Sequence, residues 1–168
     1  AYTWPAENAP SHDALLSVVV ELDPVAARGP GWMEGGQLSA SLLDLDGRTL
    51  ASGSGRISPT SRTCLIRFGD TPLPAGDYLA RIKAQWSVLA TTEQVRIKVP
   101  DVSQSAATVL GQPLLFRRGP YTGASFQPTA DLRFRRAERI RVEVPLAAAV
   151  QSVAARLLDR KGQPLAVP

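Results

Sequence analysis

Leu38-Ser-Ala-Ser-Leu-Leu-Asp-Leu-Asp-Gly-Arg-Thr-Leu-Ala-Ser52 aligns without a gap on Val153-Ala-Ala-Arg-Leu-Leu-Asp-Arg-Lys-Gly-Gln-Pro-Leu-Ala-Val167. The shared positions include Leu42/Leu157, Leu43/Leu158, Asp44/Asp159, Gly47/Gly162, Leu50/Leu165 and Ala51/Ala166. In the first copy Leu38, Ala40 and Leu42 alternate, as on a strand with one packed face. Asp46-Gly47 then reads as a two-residue type I′ hairpin turn, which needs positive φ at both central positions. The chain returns through Arg48–Ser52. The repetition predicts one backbone path, traced twice, around Gly47 and Gly162. Only Pro168 follows the second copy. The sequence therefore reads as one whole module and the opening of another, taken from something larger.

Outward from this repeat, short apolar runs alternate with Gly/Pro-rich turns, the pattern of an all-β chain. Residues 1–14 hold two prolines and no period, and read as an extended lead-in. Leu15–Leu22 is rich in β-branched residues and reads as a strand buried on nearly both faces. Asp23–Gly36, with Trp32 and Met33, reads as a long loop. Ser52-Gly-Ser-Gly55 reads as flexible or bulged, and Arg62–Phe68 as a strand. In Asp77–Trp86 the residues Tyr78, Ala80, Ile82, Ala84 and Trp86 face inward, against Arg81, Lys83 and Gln85 outward. Glu93–Val99 repeats the design with Val95, Ile97 and Val99 inside. Residues 101–111 read as a linker. Beyond it, Gln112–Phe116, Ala130–Arg135, Arg139–Val144 and Val150–Leu158 have strand character. Leu146, Val150, Val153 and Leu157 also recur at helical spacing, but the repeat partner at 38–45 favours strand. The expected fold is an Ig/fibronectin-like antiparallel β-sandwich over 15–100, followed at 112–168 by the first strands of a second, incomplete β-sandwich.

Leu73-Pro-Ala-Gly-Asp-Tyr78 is the most specific local signal. A leucine, a turn containing Gly76, then a tyrosine opening a strand is the pattern of a tyrosine corner. Its phenol bonds back to the backbone where the chain crosses between sheets and would otherwise leave a polar group unpaired.

Charge is uneven. Net charge is +4, yet residues 1–100 hold nine Lys/Arg against ten Asp/Glu and residues 101–168 hold ten against five. Arg117, Arg118, Arg133, Arg135, Arg136, Arg139 and Arg141 dominate the second part. Such a surface suits an anionic partner. Nucleic acid is disfavoured because Phe116, Tyr121, Phe126 and Phe134 make a thin stacking platform. Cys64 is the only cysteine, so neither an intrachain disulfide nor a thiolate zinc cluster can form. It reads as a small core residue. His12, the only histidine, lies in the irregular lead-in between Ser11 and Asp13, a poor setting for a triad. Asp44 and Asp46 faintly resemble a calcium loop, but Asp46 becomes Lys161 in the second copy, so the repeated Asp and Gly are turn chemistry. No catalytic residue, metal site or cofactor is expected. No apolar run approaches the roughly 20 residues of a membrane helix, and no signal-peptide pattern opens these residues. Trp4 and Trp32 remain as binding candidates in loops, with end-caps of a sandwich as their plainer role.

The Asp-x-Asp-Gly hairpin, the Leu-x-x-Gly-Asp-Tyr strand opener and Val95-Arg-Ile-Lys-Val-Pro-Asp-Val-Ser103 resemble the C-terminal modules of bacterial VWFA-related secreted proteins. Phe116-Arg-Arg-Gly-Pro120 and Phe134-Arg-Arg-Ala-Glu-Arg139 extend the likeness. In these proteins a von Willebrand A domain precedes small sandwich-like modules. The resemblance implies a secreted or envelope location and other domains of a parent protein as partners. The adhesion motif Asp-x-Ser-x-Ser of the A domain is absent, so no metal-binding role is carried over. The expected function is a non-catalytic spacer or protein-interaction module, with self-association through unpaired strand edges. Alternatives are a carbohydrate-binding module using Trp4 or Trp32, and a hydrolase whose other parts lie elsewhere in the parent.

Overall fold

The computed structural model describes residues 1–5, 14–23, 34–59, 61–87, 89–100, 112–120, 122–146 and 152–165, with Trp4 and Pro5 described as backbone alone. His12, Trp32, Met33 and the 101–111 linker lie outside the described residues. Ten strands follow in order: β1 (Tyr2–Pro5), β2 (Ala14–Glu21), β3 (Gly36–Leu43), β4 (Thr49–Ile57), β5 (Thr63–Arg67), β6 (Gly76–Trp86), β7 (Leu89–Val99), β8 (Leu114–Arg118), β9 (Gln127–Pro128) and β10 (Arg139–Glu143). They build three antiparallel sheets, ordered β1-β2-β5, β4-β3-β6-β7 and β10-β8-β9. The chain is all-β and sandwich-like.

The first two sheets share one core. Leu16 and Val18 of β2 and Ile66 of β5 pack against Leu38, Ala40 and Leu42 of β3, Tyr78, Ala80 and Ile82 of β6, and Ile97 and Val99 of β7. Period-two alternation places these residues inside. In β6, Tyr78, Ala80, Ile82 and Ala84 are buried, and Trp86 packs half-buried at the end of the row. Val95 differs from expectation: it is 50% exposed although it alternates with Ile97. β7 is the edge of a four-stranded sheet facing a three-stranded one, so cover is lost at the outer strand. Where the chain enters β6, the Tyr78 hydroxyl donates to the Pro74 carbonyl at 2.7 Å, and Leu73 bridges back to Ala14.

Four readings of strand and loop need correction. The lead-in is partly a strand: Tyr2–Pro5 pairs with Ala14–Ser17 and covers one edge of β2. Ser52–Gly55 is neither loose nor bulged. It lies within β4, with Gly53 opposite Ala40 and Gly55 opposite Leu38. The glycines admit β5: a Cβ on Gly53 would strike the Arg67 carbonyl and come within 2.7 Å of Ile66 Cγ2, and one on Gly55 would strike Cys64 Sγ. Ala130–Arg135 forms no strand, because its backbone groups serve side chains from elsewhere, as described below. Residues 152–158 contain one isolated bridge, Leu158↔Pro164, and no longer ladder. Among the described residues no named strand pairs with them. No α-helix occurs among the described residues.

The two copies of the repeat bend alike. Asp44 N donates to Arg48 O at 3.0 Å and Gly47 N to Asp44 O at 3.1 Å; Asp159 N donates to Gln163 O at 2.8 Å and Gly162 N to Asp159 O at 3.0 Å. In both, the aspartate Oδ1 accepts from the backbone N–H of the returning strand, Arg48 or Gln163, at 2.8 Å. Gly47 and Gly162 have φ of 85° and 78°. Asp46 is not in the left-handed region, so the turn is not type I′. It is a three-residue loop whose glycine occupies the left-handed position, with a bulge between Leu42 and Leu43. Gly76, by contrast, has ordinary φ and opens β6 beside the Tyr78 ring.

Burial separates the copies. Leu38, Leu42 and Leu43 are at most 2% exposed, whereas Val153, Leu157 and Leu158 are 70, 60 and 50% exposed. The third sheet is similarly open: Ile140 and Val142 of β10 are 49 and 55% exposed. Beyond β10 no further strand is paired among the described residues.

Candidate functional site

The most concentrated chemistry among the described residues lies where the third sheet meets the first. Glu21 ends β2, and its side chain is 8% exposed. Its Oε2 accepts three hydrogen bonds at 2.9 Å, from Thr129 Oγ1, Ala130 N and Asp131 N. Its Oε1 accepts from Arg62 at 3.1 Å and lies 3.7 Å from Arg117. The chain after β9 thus wraps the carboxylate with its own backbone donors, which is why no strand forms there.

Arg117 comes from β8 and is 9% exposed. Its Nη2 donates to the carbonyls of Asp131 at 2.6 Å and Arg133 at 3.1 Å. Its Nη1 lies 3.7 Å from both Glu21 and Glu138, and its Cζ lies 5.1 Å from the Phe134 ring centre. Only Nε has no partner. Stacking on Phe134 and two nearby carboxylates offset that loss. Burial alone would push the Glu21 carboxyl up. The donors from Asp131, Thr129 and Ala130, helped by Arg117, outweigh burial and hold it below its ordinary value.

Lighter contacts tie the same two sheets. The Tyr2 hydroxyl donates to Thr129 O at 3.0 Å. Thr3 N donates to Gln112 Oε1 at 3.1 Å, and Gln112 N donates to Thr3 O at 3.2 Å. Ser61 Oγ donates to Gln127 Oε1 at 3.2 Å. The cluster encloses about 20 Å³ between Glu21, Arg62, Thr63, Arg117, Thr129 and Glu138. That is the size of one water, against the ~300–1,000 Å³ of small-molecule sites. A hollow of about 240 Å³ lies beside it, bounded by Tyr2, Val19, Pro113, Leu115, Ala130 and Leu132. Glu21 and Arg117 can hold two sheets together. Apart from Arg117 Nε, their polar atoms are spent on protein partners, so they are poorly placed to bind or transform a substrate.

Of the candidates from sequence, Tyr78, Gly47 and Gly162 sit at the turns and crossing described above. The side chains of Trp4 and Trp32 and all of His12 lie outside the described residues. Cys64 is half-buried with its thiol against Gly55, and burial pushes its pKa up against a weaker opposing backbone bond from Arg56. Among the described residues no three of His, Cys, Asp and Glu gather as a metal would require, and no helix is long and apolar enough to cross a membrane. Glu21 was not singled out from sequence. Its signal was an acid at the end of an apolar strand, which needs a buried partner to be tolerated.

The phenylalanines of the basic region are not a free stacking platform. Arg118 lies 5.0 Å from the Phe126 ring centre, and Arg141 lies 4.4 Å from Phe116 and 5.1 Å from Phe126. Guanidinium groups already occupy ring faces that bases would need.

No protein-family model, curated protein or solved structure matches the chain.

Proposed function

We propose that the chain is a non-catalytic β-sandwich segment of a larger exported protein, acting as spacer and protein-interaction module. On this reading residues 15–100 form one Ig-like module and 112–168 the opening of a second. The observation that carries it is the pairing of a fixed joint with an open sheet. The Glu21–Arg117 cluster fastens β8 and β9 to β2 and β5, as a spacer's joint requires. Among the described residues nothing pairs with the far edge of β10, which also exposes Ile140 and Val142, the features that accept an added strand.

Light scattering across concentration, together with amide exchange, tests this. Association that disappears in Val142→Lys, with rapid exchange on β10, supports the reading. A strict monomer whose β10 amides are as protected as those of β6 refutes it.

A further inference from the structure

On β10-β8-β9 the residues Arg118 and Arg139 are directly opposed across the β8–β10 ladder. Opposed residues point to the same face with Cβ atoms about 5 Å apart, and like charges so placed repel. Neither has a carboxylate within ion-pair distance among the described residues. The acids nearby are committed elsewhere: Glu143 to Arg141 at 3.0 Å, Glu138 to Arg117 and the Arg135 N–H, and Asp131 to Arg133. The same face carries a stack that runs Arg118, Phe126, Arg141, Phe116. These ring contacts hold the Arg118 and Arg141 guanidinium groups in place. Part of the ordering cost of binding is therefore met before a ligand arrives.

We propose that Arg118 and Arg139 form a binding site for a phosphate monoester, with Arg141 at its border. A tetrahedral dianion between the two side chains replaces their repulsion with charge-assisted, multiply bonded contacts. A monoester carries nearly two charges at neutral pH and matches the two uncompensated arginines. A nucleic-acid diester carries one charge per phosphate and needs aromatic faces that Arg118 and Arg141 already cover. The positive excess of residues 101–168 draws anions toward this part of the chain. The site does not depend on the spacer reading, because it uses side chains on one face of β8 and β10 and neither the backbone edge of β10 nor the Glu21 joint.

The test is a titration of the intact chain with phenyl phosphate, inorganic phosphate and a short single-stranded oligonucleotide, followed by NMR of the arginine Nε–H groups. Shifts at Arg118 and Arg139 with phenyl phosphate are expected, weakening as pH falls from 7.5 to 5 while the monoester loses its second charge. Inorganic phosphate acting alike identifies the bare dianion as sufficient. A response to phenyl phosphate alone identifies an esterified source. Arg139→Gln and Arg118→Gln should each weaken binding by about tenfold. Arg139 is exposed and its replacement disturbs no stack, so it guards against loss of structure in the other variant. Variants that bind within twofold of the parent, no shift with either phosphate, or a response to the oligonucleotide only, overturn the proposal.

Discussion

Replacing Glu21 with glutamine changes one oxygen to an amide and leaves volume intact. The remaining oxygen can still face Thr129 Oγ1, Ala130 N and Asp131 N, now as neutral hydrogen bonds. Charge-assisted bonds are worth about 1.5–3 kcal/mol each against about 1 kcal/mol for neutral ones. The new NH₂ also faces Arg62 and Arg117, donor against donor. Relief of carboxylate burial returns part of the loss, and breaking buried pairs costs about 3–5 kcal/mol. A loss of about 3 kcal/mol is expected for Glu21→Gln. It should be local: hydrogen-exchange mass spectrometry should show faster exchange over 114–118 and 127–135, with 76–99 unchanged at moderate denaturant. The pH dependence has a fixed sign. The folded carboxyl sits below its ordinary 4.5, so its contribution is whole above that value and is lost as pH falls beneath it. The parent should loosen over 127–135 in acid, and the glutamine variant should show less of that dependence. Equal exchange in parent and variant at neutral pH would refute the joint.

Tyr78→Phe removes the bond to the Pro74 carbonyl and should cost about 1 kcal/mol in urea unfolding; an unchanged midpoint counts against the corner's role. Gly53→Val drives a side chain into the Arg67 carbonyl and Ile66 and should cost about 3 kcal/mol, lowering the melting temperature by several degrees. Gly47→Ala, at positive φ in a hairpin of the main core, should cost about 1 kcal/mol in global unfolding. Gly162→Ala should shift global unfolding much less, because its leucines are exposed and its hairpin opens locally. Cys64 should react with a thiol reagent slowly while folded and quickly in denaturant, since burial raises its pKa.

Legibility followed the range of the interactions. Strands β3, β6 and β7 announce themselves by local alternation, β2 and β5 by short runs of strand-forming residues, and the crossing at Tyr78 by six consecutive residues. The bend at 44–48 was visible, though its type was not: Asp-Gly suits a two-residue loop, and the bulge at Leu42/Leu43 chose a longer one. What escaped reading depends on distant partners. Tyr2–Pro5 is a strand only because β2 has a free edge. Gly53 and Gly55 looked loose because the residues pressing on them are nine or more positions away. Ala130–Arg135 has strand composition, but Glu21 and Arg117 take its backbone groups. Val150–Leu158 has strand composition too, and among the described residues no strand pairs with 152–158. The Glu21 joint combines residues more than a hundred positions apart, beyond any local pattern.

The twin bends at Gly47 and Gly162 have a kinetic consequence. One is roofed by packed leucines and the other stands in water, yet both close the same rings. Their geometry is written into five residues, not imposed by surroundings. Hairpins of this kind form in roughly 1–10 μs, earlier than contacts between distant sheets can gather. The bend at Gly47 is thus a seed that sets which residues of β3 and β4 meet before any core exists to select among alternatives.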